Sequence, residues 1–181
     1  MKKLLVLGVG NILMMDEGIG VHAVHELLKE KYPGDYSKET LDCSQAVQSK
    51  KFDWAGVNLE HVDFIDGGTF TQDIFYLFVE YEKILVLDIV KGGQAPGTIY
   101  RLSENDLRQD QKQTLSLHDI DLLDSLSMAR MTGKNPELHV LGIEPETINW
   151  SIELTPTLAK LFPHYVELVR EEIISLLKDT L

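Results

Sequence analysis

Cysteine is nearly absent from this chain of 181 residues, where Cys43 stands alone. One thiol excludes an intramolecular disulfide and any thiolate-rich metal site. Cys43 has no histidine close in sequence, and no G-x-S-x-G occurs, so nucleophilic serine or cysteine chemistry has little support. No run approaches the roughly eighteen apolar residues of a membrane span. Basic charge is scarce too: 17 Lys and Arg face 29 Asp and Glu, for a formal net charge of −12. That balance argues against nucleic acid and anionic membranes as partners. Lys2-Lys3 before an apolar run imitates a signal peptide. However, Gly8, Gly10 and Asn11 interrupt it, and no small-x-small cleavage site follows. A cytoplasmic location is the expectation. Internal repeats and low-complexity segments are lacking as well, and the length predicts a single domain over 1–181.

The chain is organised around its opening stretch. Leu4 to Leu7 is a short continuous apolar run, as expected of a strand buried on both faces. Gly8 and Gly10 then allow a turn, and Asp16-Glu17 follow. From Ile19 the apolar residues Val21, Val24, Leu27 and Leu28 recur at helical spacing. This strand–turn–acid–helix order is not a dinucleotide site, because G-x-G-x-x-G would need glycine where Leu13 stands. Two carboxylates there would also repel a phosphate at the helix N-terminus and favour a cation or a polarised water. The plainer alternative for Asp16 and Glu17 is simple complementing of the helix dipole.

Pro33 to Glu60 is polar and exceeds the usual length of a structureless loop. It reads as an irregular insertion over 33–60, more readily a tolerated one than a lid or a partner surface. Ser44–Gln48 offers a short helix within it, and Phe52 and Trp54 are its candidate anchors. Val62–Ile65 then reads as a strand closed by Asp66-Gly67-Gly68-Thr69, and a short helix carries Ile74, Leu77 and Phe78. Ile84–Val90 is the most apolar strand and predicted to be central; its lone charge, Asp88, is costly to bury unpaired. Thr98–Leu102 follows too closely for a crossover helix, which predicts an antiparallel edge strand. A polar linker leads to Ser116-Leu117-His118-Asp119, a capping-box-like start to a helix that ends at Gly133. Leu138–Ile143 is the last strand. Thr155-Pro156 opens the C-terminal helix, which Pro163 is expected to kink or break before Val166.

The predicted class is therefore α/β: a three-layer α/β/α sandwich on a mostly parallel, twisted five-stranded sheet with one antiparallel edge strand. With the strands at 4–7 and 84–90 adjacent, the topological switch falls between them. Glu17, the Asp66 loop and Asp88 are then expected in one crevice, with His118 joining from the helix that follows. Two carboxylates and an imidazole suit zinc, nickel or iron, yet form a thin set that would hold a metal weakly. There is no H-E-x-x-H. The nearest approach is His22-Ala23-Val24-His25-Glu26, and both histidines read as helix surface or packing residues.

At this point the residues carry a resemblance. Leu7–Val21, Asp66-Gly67-Gly68-Thr69, Leu87-Asp88-Ile89-Val90 with Ala95-Pro96-Gly97-Thr98, Ser116-Leu117-His118, Gly142–Glu146 and Leu154-Thr155-Pro156 occur in one order along the chain. In that series the sequence resembles the nickel–iron hydrogenase maturation endopeptidases, often classed as aspartic-type. The resemblance implies cleavage of a C-terminal extension from the hydrogenase large-subunit precursor after nickel insertion. It implies Glu17, Asp88 and His118 as catalytic and nickel-contacting residues, with Asp16, Asp66, Gly67 and Thr69 in support. The nickel would arrive with the substrate, and no other cofactor is expected. The Pro33–Glu60 stretch departs from the family in its length. Outside this class, an acidic pair after the first strand and an aspartate on a central strand also describe a receiver-like signalling module. That reading wants a lysine after the last parallel strand, where Gly142-Ile143-Glu144-Pro145 has none. A metal-binding protein without peptidase activity is the remaining alternative.

Overall fold

The computed structural model describes residues 2–31, 53–54, 57–69, 74–109 and 117–178, with the backbone alone at 2, 3, 53 and 117–121. Strand β1 (Lys2–Val9) leads through a 3-10 turn (Met15–Gly18) into helix α1 (Ile19–Lys31). Strands β2 (Asp53–Trp54) and β3 (Val57–Asn58) form a small antiparallel pair, followed by β4 (Val62–Gly68) and α2 (Phe75–Glu80). The remainder is β5 (Tyr81–Ile89), β6 (Ile99–Ser103), α3 (Glu104–Gln109), α4 (Leu117–Met131), β7 (Glu137–Ile143) and α5 (Pro156–Lys178).

The sheet order is β4-β1-β5-β7-β6. Three pairings are parallel, and β6 runs antiparallel to β7 at the edge. Its faces are filled by strict alternation. Leu4 and Val6 of β1 pack with Leu85 and Leu87 of β5 against α1 and α5. Leu5, Leu7, Ile84 and Val86 face Phe78 of α2, Leu107 of α3 and Leu122 and Leu126 of α4. Continuous apolar runs on β1 and β5 are what two covered faces require. The predicted three-layer class, the adjacency of β1 and β5 and the antiparallel edge all hold.

Three expectations need correction. The polar linker after β6 contains helix α3, which buries Leu107. Asp106 accepts from the Ser103 backbone N–H (2.7 Å) and hydroxyl (2.6 Å), closing the helix start. Pro163 does not end the C-terminal helix, since α5 runs as one element through it. A proline removes a single rung of the helical ladder. Meanwhile the buried stripe Leu158, Tyr165, Val166, Val169 and Ile173 packs on both sides of it. Finally, part of the 33–60 stretch is ordered sheet. Trp54 of β2 is buried and meets the Phe64 ring edge-on, centroids 6.2 Å apart. Phe52 and Ser44–Gln48 lie outside the described residues, as does Ser116 of the proposed cap.

Candidate functional site at the carboxyl ends of the central strands

Helix α1 comes very close to the sheet where β1 and β5 meet. A Cβ on Gly20 would lie 2.0 Å from the Leu87 carbonyl oxygen, so no other residue fits there. The turn before it is equally tight. Gly10 adopts a φ of +130°, and a Cβ there would stand 1.8 Å from the Glu17 carbonyl oxygen. Its N–H donates to the Gly68 carbonyl (2.9 Å), which ties the β1 turn to the end of β4. Main chain from β1, β4 and β5 therefore meets at the switch point, where open α/β sheets bind ligands.

Glu17 is half-buried in the 3-10 turn at this end of β1. Asp88 is fully buried near the end of β5, and its Oδ1 accepts from the Ile89 N–H (2.8 Å). By alternation with Ile84 and Val86, Asp88 belongs to the face covered by α2 and α4. His118 is the second residue of α4, in the layer on that face, and its side chain lies outside those described. Burial, and then the Asp88 charge, pushes the Tyr165 phenol far above its ordinary range. That phenol donates to the Leu141 carbonyl (2.7 Å).

Asp16 and Asp66 do other work. Asp16 is fully buried, and its carboxylate accepts from the N–H groups of Glu146 (2.9 Å), Thr147 (3.1 Å) and Thr155 (2.8 Å), and from the Thr155 hydroxyl (3.0 Å). It turns inward to anchor the loop leading into α5, not outward into a crevice or toward the dipole of α1. Asp66 lies on the α1 side of the sheet. Its Oδ2 is 2.8 Å from His25 Nε2, and its Oδ1 accepts from the Gly68 N–H (2.9 Å). Burial alone would raise its pKa; the His25 hydrogen bond and charge, with Gly68 and His22, hold it below the ordinary value. By strand register Asp66 and Asp88 start from opposite faces of the sheet, and Asp66 is drawn to His25 of α1. His25 is a bonding partner and not merely a packing residue. Gly67 packs against Leu7, where a Cβ would lie 2.9 Å from its Cδ1, and Thr69 is exposed.

A third buried acid, Glu144, has a role that the sequence reading did not assign. Directly after β7, it accepts from the N–H groups of Gly92 (2.8 Å), Gly93 (3.2 Å) and Gln94 (3.3 Å), and from the Tyr100 hydroxyl. Burial opposes its charge, but these donors outweigh it and keep the pKa below the ordinary value. Burial and Glu144 push the Tyr100 phenol up to about 12. Glu144 thereby holds the 92–94 turn a few residues beyond Asp88. A signal was present in the sequence, since Glu144 directly follows the apolar strand Leu138–Ile143.

Among the described residues, no three His, Cys, Asp or Glu groups lie close enough to hold a metal ion by themselves. A cavity of about 560 Å³ opens between α1 and the start of α5, lined by His22, His25, Lys29, Ile152, Leu154 and Phe162 among others. Neither Glu17 nor Asp88 lines it. No described helix is long and apolar enough to cross a membrane.

Residues 47–172 match a family model described as hydrogenase maturation protease. The chain belongs to the hydrogenase maturation protease family. It is 29% identical over 180 residues to the hydrogenase 2 maturation protease of Escherichia coli K12, covering 98% of this chain and 92% of that one. The hydrogenase maturating endopeptidase HybD from E. coli superimposes with a TM-score of 0.72 at 28% identity, covering 96% of this chain and 93% of the other. The HybD protease of Thermococcus kodakarensis shares the fold at a TM-score of 0.64 and 22% identity, covering 93% of this chain and 97% of its own. Membership makes this hydrogenase maturation protease an endopeptidase, a hydrolase acting in hydrogenase maturation.

Proposed function

We propose that the protein removes the C-terminal extension of a nickel–iron hydrogenase large-subunit precursor, in the cytoplasm and after nickel insertion. We further propose that Glu17, Asp88 and His118 read the nickel carried by that substrate. The observation that carries this reading is Asp88: a fully buried carboxylate near the carboxyl end of the central strand, at a register position on the face that α4 covers, with His118 the second residue of that helix. Burying such a group is costly, and its position beside the switch point gives the cost a use. Oxygen and imidazole donors suit nickel, and a thin set can engage an ion without stripping it from the substrate's ligands. Docking on that ion would fix the register of the scissile peptide. One carboxylate, or a water polarised by the substrate's metal, then promotes attack on the carbonyl.

Mass spectrometry of a large-subunit precursor incubated with the protein, with and without nickel, tests this directly. Loss of a C-terminal peptide from the loaded precursor alone is the expected result. An unchanged mass for a competent, loaded precursor would overturn the reading in favour of a binding protein without peptidase activity.

A further inference from the structure

The turn that carries Glu17 also presents apolar side chains to solvent. Ile12 and Leu13 are 38% and 48% exposed, and Trp150 and Ile152 on the neighbouring loop are 76% and 71% exposed. The two segments are stitched together. Met15 N–H donates to the Ser151 carbonyl (2.9 Å), Ser151 N–H donates to the Leu13 carbonyl (3.0 Å), and Met14 bridges Ser151 in parallel. Beneath them the Asp16 carboxylate binds Glu146, Thr147 and Thr155. These residues form a built ledge, not a frayed loop. The charge of its two segments is of one sign, and Lys29, in the cavity lined also by Ile152, is paired with Glu26 (3.0 Å). Residues 11–18 and 145–155 contain no lysine, arginine or histidine, while Glu17 is half-buried and Glu146 and Glu153 are exposed.

We propose that this ledge docks a segment of the protein substrate that is apolar with basic flanks, seating it on Trp150 and Ile152 beside the Glu17 turn. This rests on the reading that the chain acts on a protein precursor, and it names the surface that selects it. Exposed tryptophan is the side chain that most often anchors a protein partner, through a large apolar area with little entropy to lose. The acidic rim supplies the charge complementarity, steering basic flanks and rejecting acidic ones.

The test follows association of the full-length protein with immobilised, nickel-loaded large-subunit precursor, and reads the precursor's mass afterwards. Wild type is compared with a Trp150→Ser, Ile152→Ser double variant and with Leu13→Ser, each checked for an unchanged thermal midpoint. We expect affinity to fall by at least about tenfold in the double variant, and wild-type affinity to weaken with added salt. Unchanged affinity in folded variants overturns the ledge while leaving the peptidase reading intact; absence of association by wild type also overturns the ledge, and the precursor's mass then decides the peptidase reading separately. Lost affinity in the variants, with wild type binding but not cutting, supports the ledge and sinks the peptidase reading instead. Sedimentation showing a wild-type dimer that the double variant dissolves, with precursor binding unaffected, would reassign the ledge to self-association.

Discussion

Asp16 grips Thr155 from 139 residues away in sequence, taking both its backbone N–H (2.8 Å) and its hydroxyl (3.0 Å). Thr155 precedes the first residue of α5, and its hydroxyl also accepts weakly from the Leu158 N–H (3.4 Å). One carboxylate thus couples the turn after the first strand to the start of the last helix. Glu17 is its immediate neighbour, so the stability of that turn and the placement of Glu17 depend on the same bonds.

Asp16→Ala would strand the buried N–H and hydroxyl of Thr155 and remove the acceptor of the part-buried Glu146 and Thr147 N–H groups. The expected loss is about 3 kcal/mol or more of unfolding free energy, measured by urea titration. A loss below about 1 kcal/mol would show that water replaces the carboxylate and that the anchor is dispensable.

For Asp88→Asn the expectation reverses. The shape is kept and the Ile89 N–H retains an oxygen acceptor, so the fold should persist. Processing of nickel-loaded precursor should drop by at least about a hundredfold. Near wild-type turnover in that variant would remove Asp88 from the chemistry.

Glu144→Gln places an amide among four donors, and at least one N–H or O–H must lose its acceptor. A cost of about 2 kcal/mol is expected, together with faster hydrogen exchange at Gly92–Gln94. Tyr100→Phe removes one donor and leaves the backbone bonds, so it should cost less. Equal effects would mean that the phenol, not the backbone cradle, holds the turn.

Acid stability should trace to Glu104. Hydrogen bonds from Arg130, against the cost of burial and with help from Arg108, hold its carboxyl down at about 2. A depressed carboxylate stabilises the fold above its unfolded pKa of about 4.3, and that stability is lost as pH falls toward 2. Glu104→Gln should therefore lower stability most at neutral pH, least near pH 2, and so flatten the stability–pH curve between those values. The curve is read from thermal midpoints across a pH series. An unchanged acid limb would assign the loss to other carboxylates, Asp66 and Glu144 first.

The layers were legible because their signal is local. Leu4–Leu7 and Ile84–Val90 are apolar without alternation, and only a strand covered on both faces requires that. The close spacing between β5 and β6 left no room for a crossover, which settled the antiparallel edge in advance. Helix α3 was missed although Ser103 and Asp106 stand at capping-box spacing, because its single apolar anchor, Leu107, shows no period. The break expected at Pro163 does not occur, because the proline penalty is local whereas the stripe that keeps α5 whole is read only against the sheet.

The sequence by itself determined the order of elements, the class of sheet, and which carboxylates stand at strand ends. It also carried the motif series that marks the family. Tertiary structure alone decided what each acid does. A partner on α1 claimed Asp66 through His25, and the return of the 146–155 loop made Asp16 an anchor instead of a companion to Glu17. The 92–94 turn gave Glu144 its donors. Burial and hydrogen-bond partners are set by groups distant in the chain, so neighbouring carboxylates that look alike in sequence part company once the chain folds.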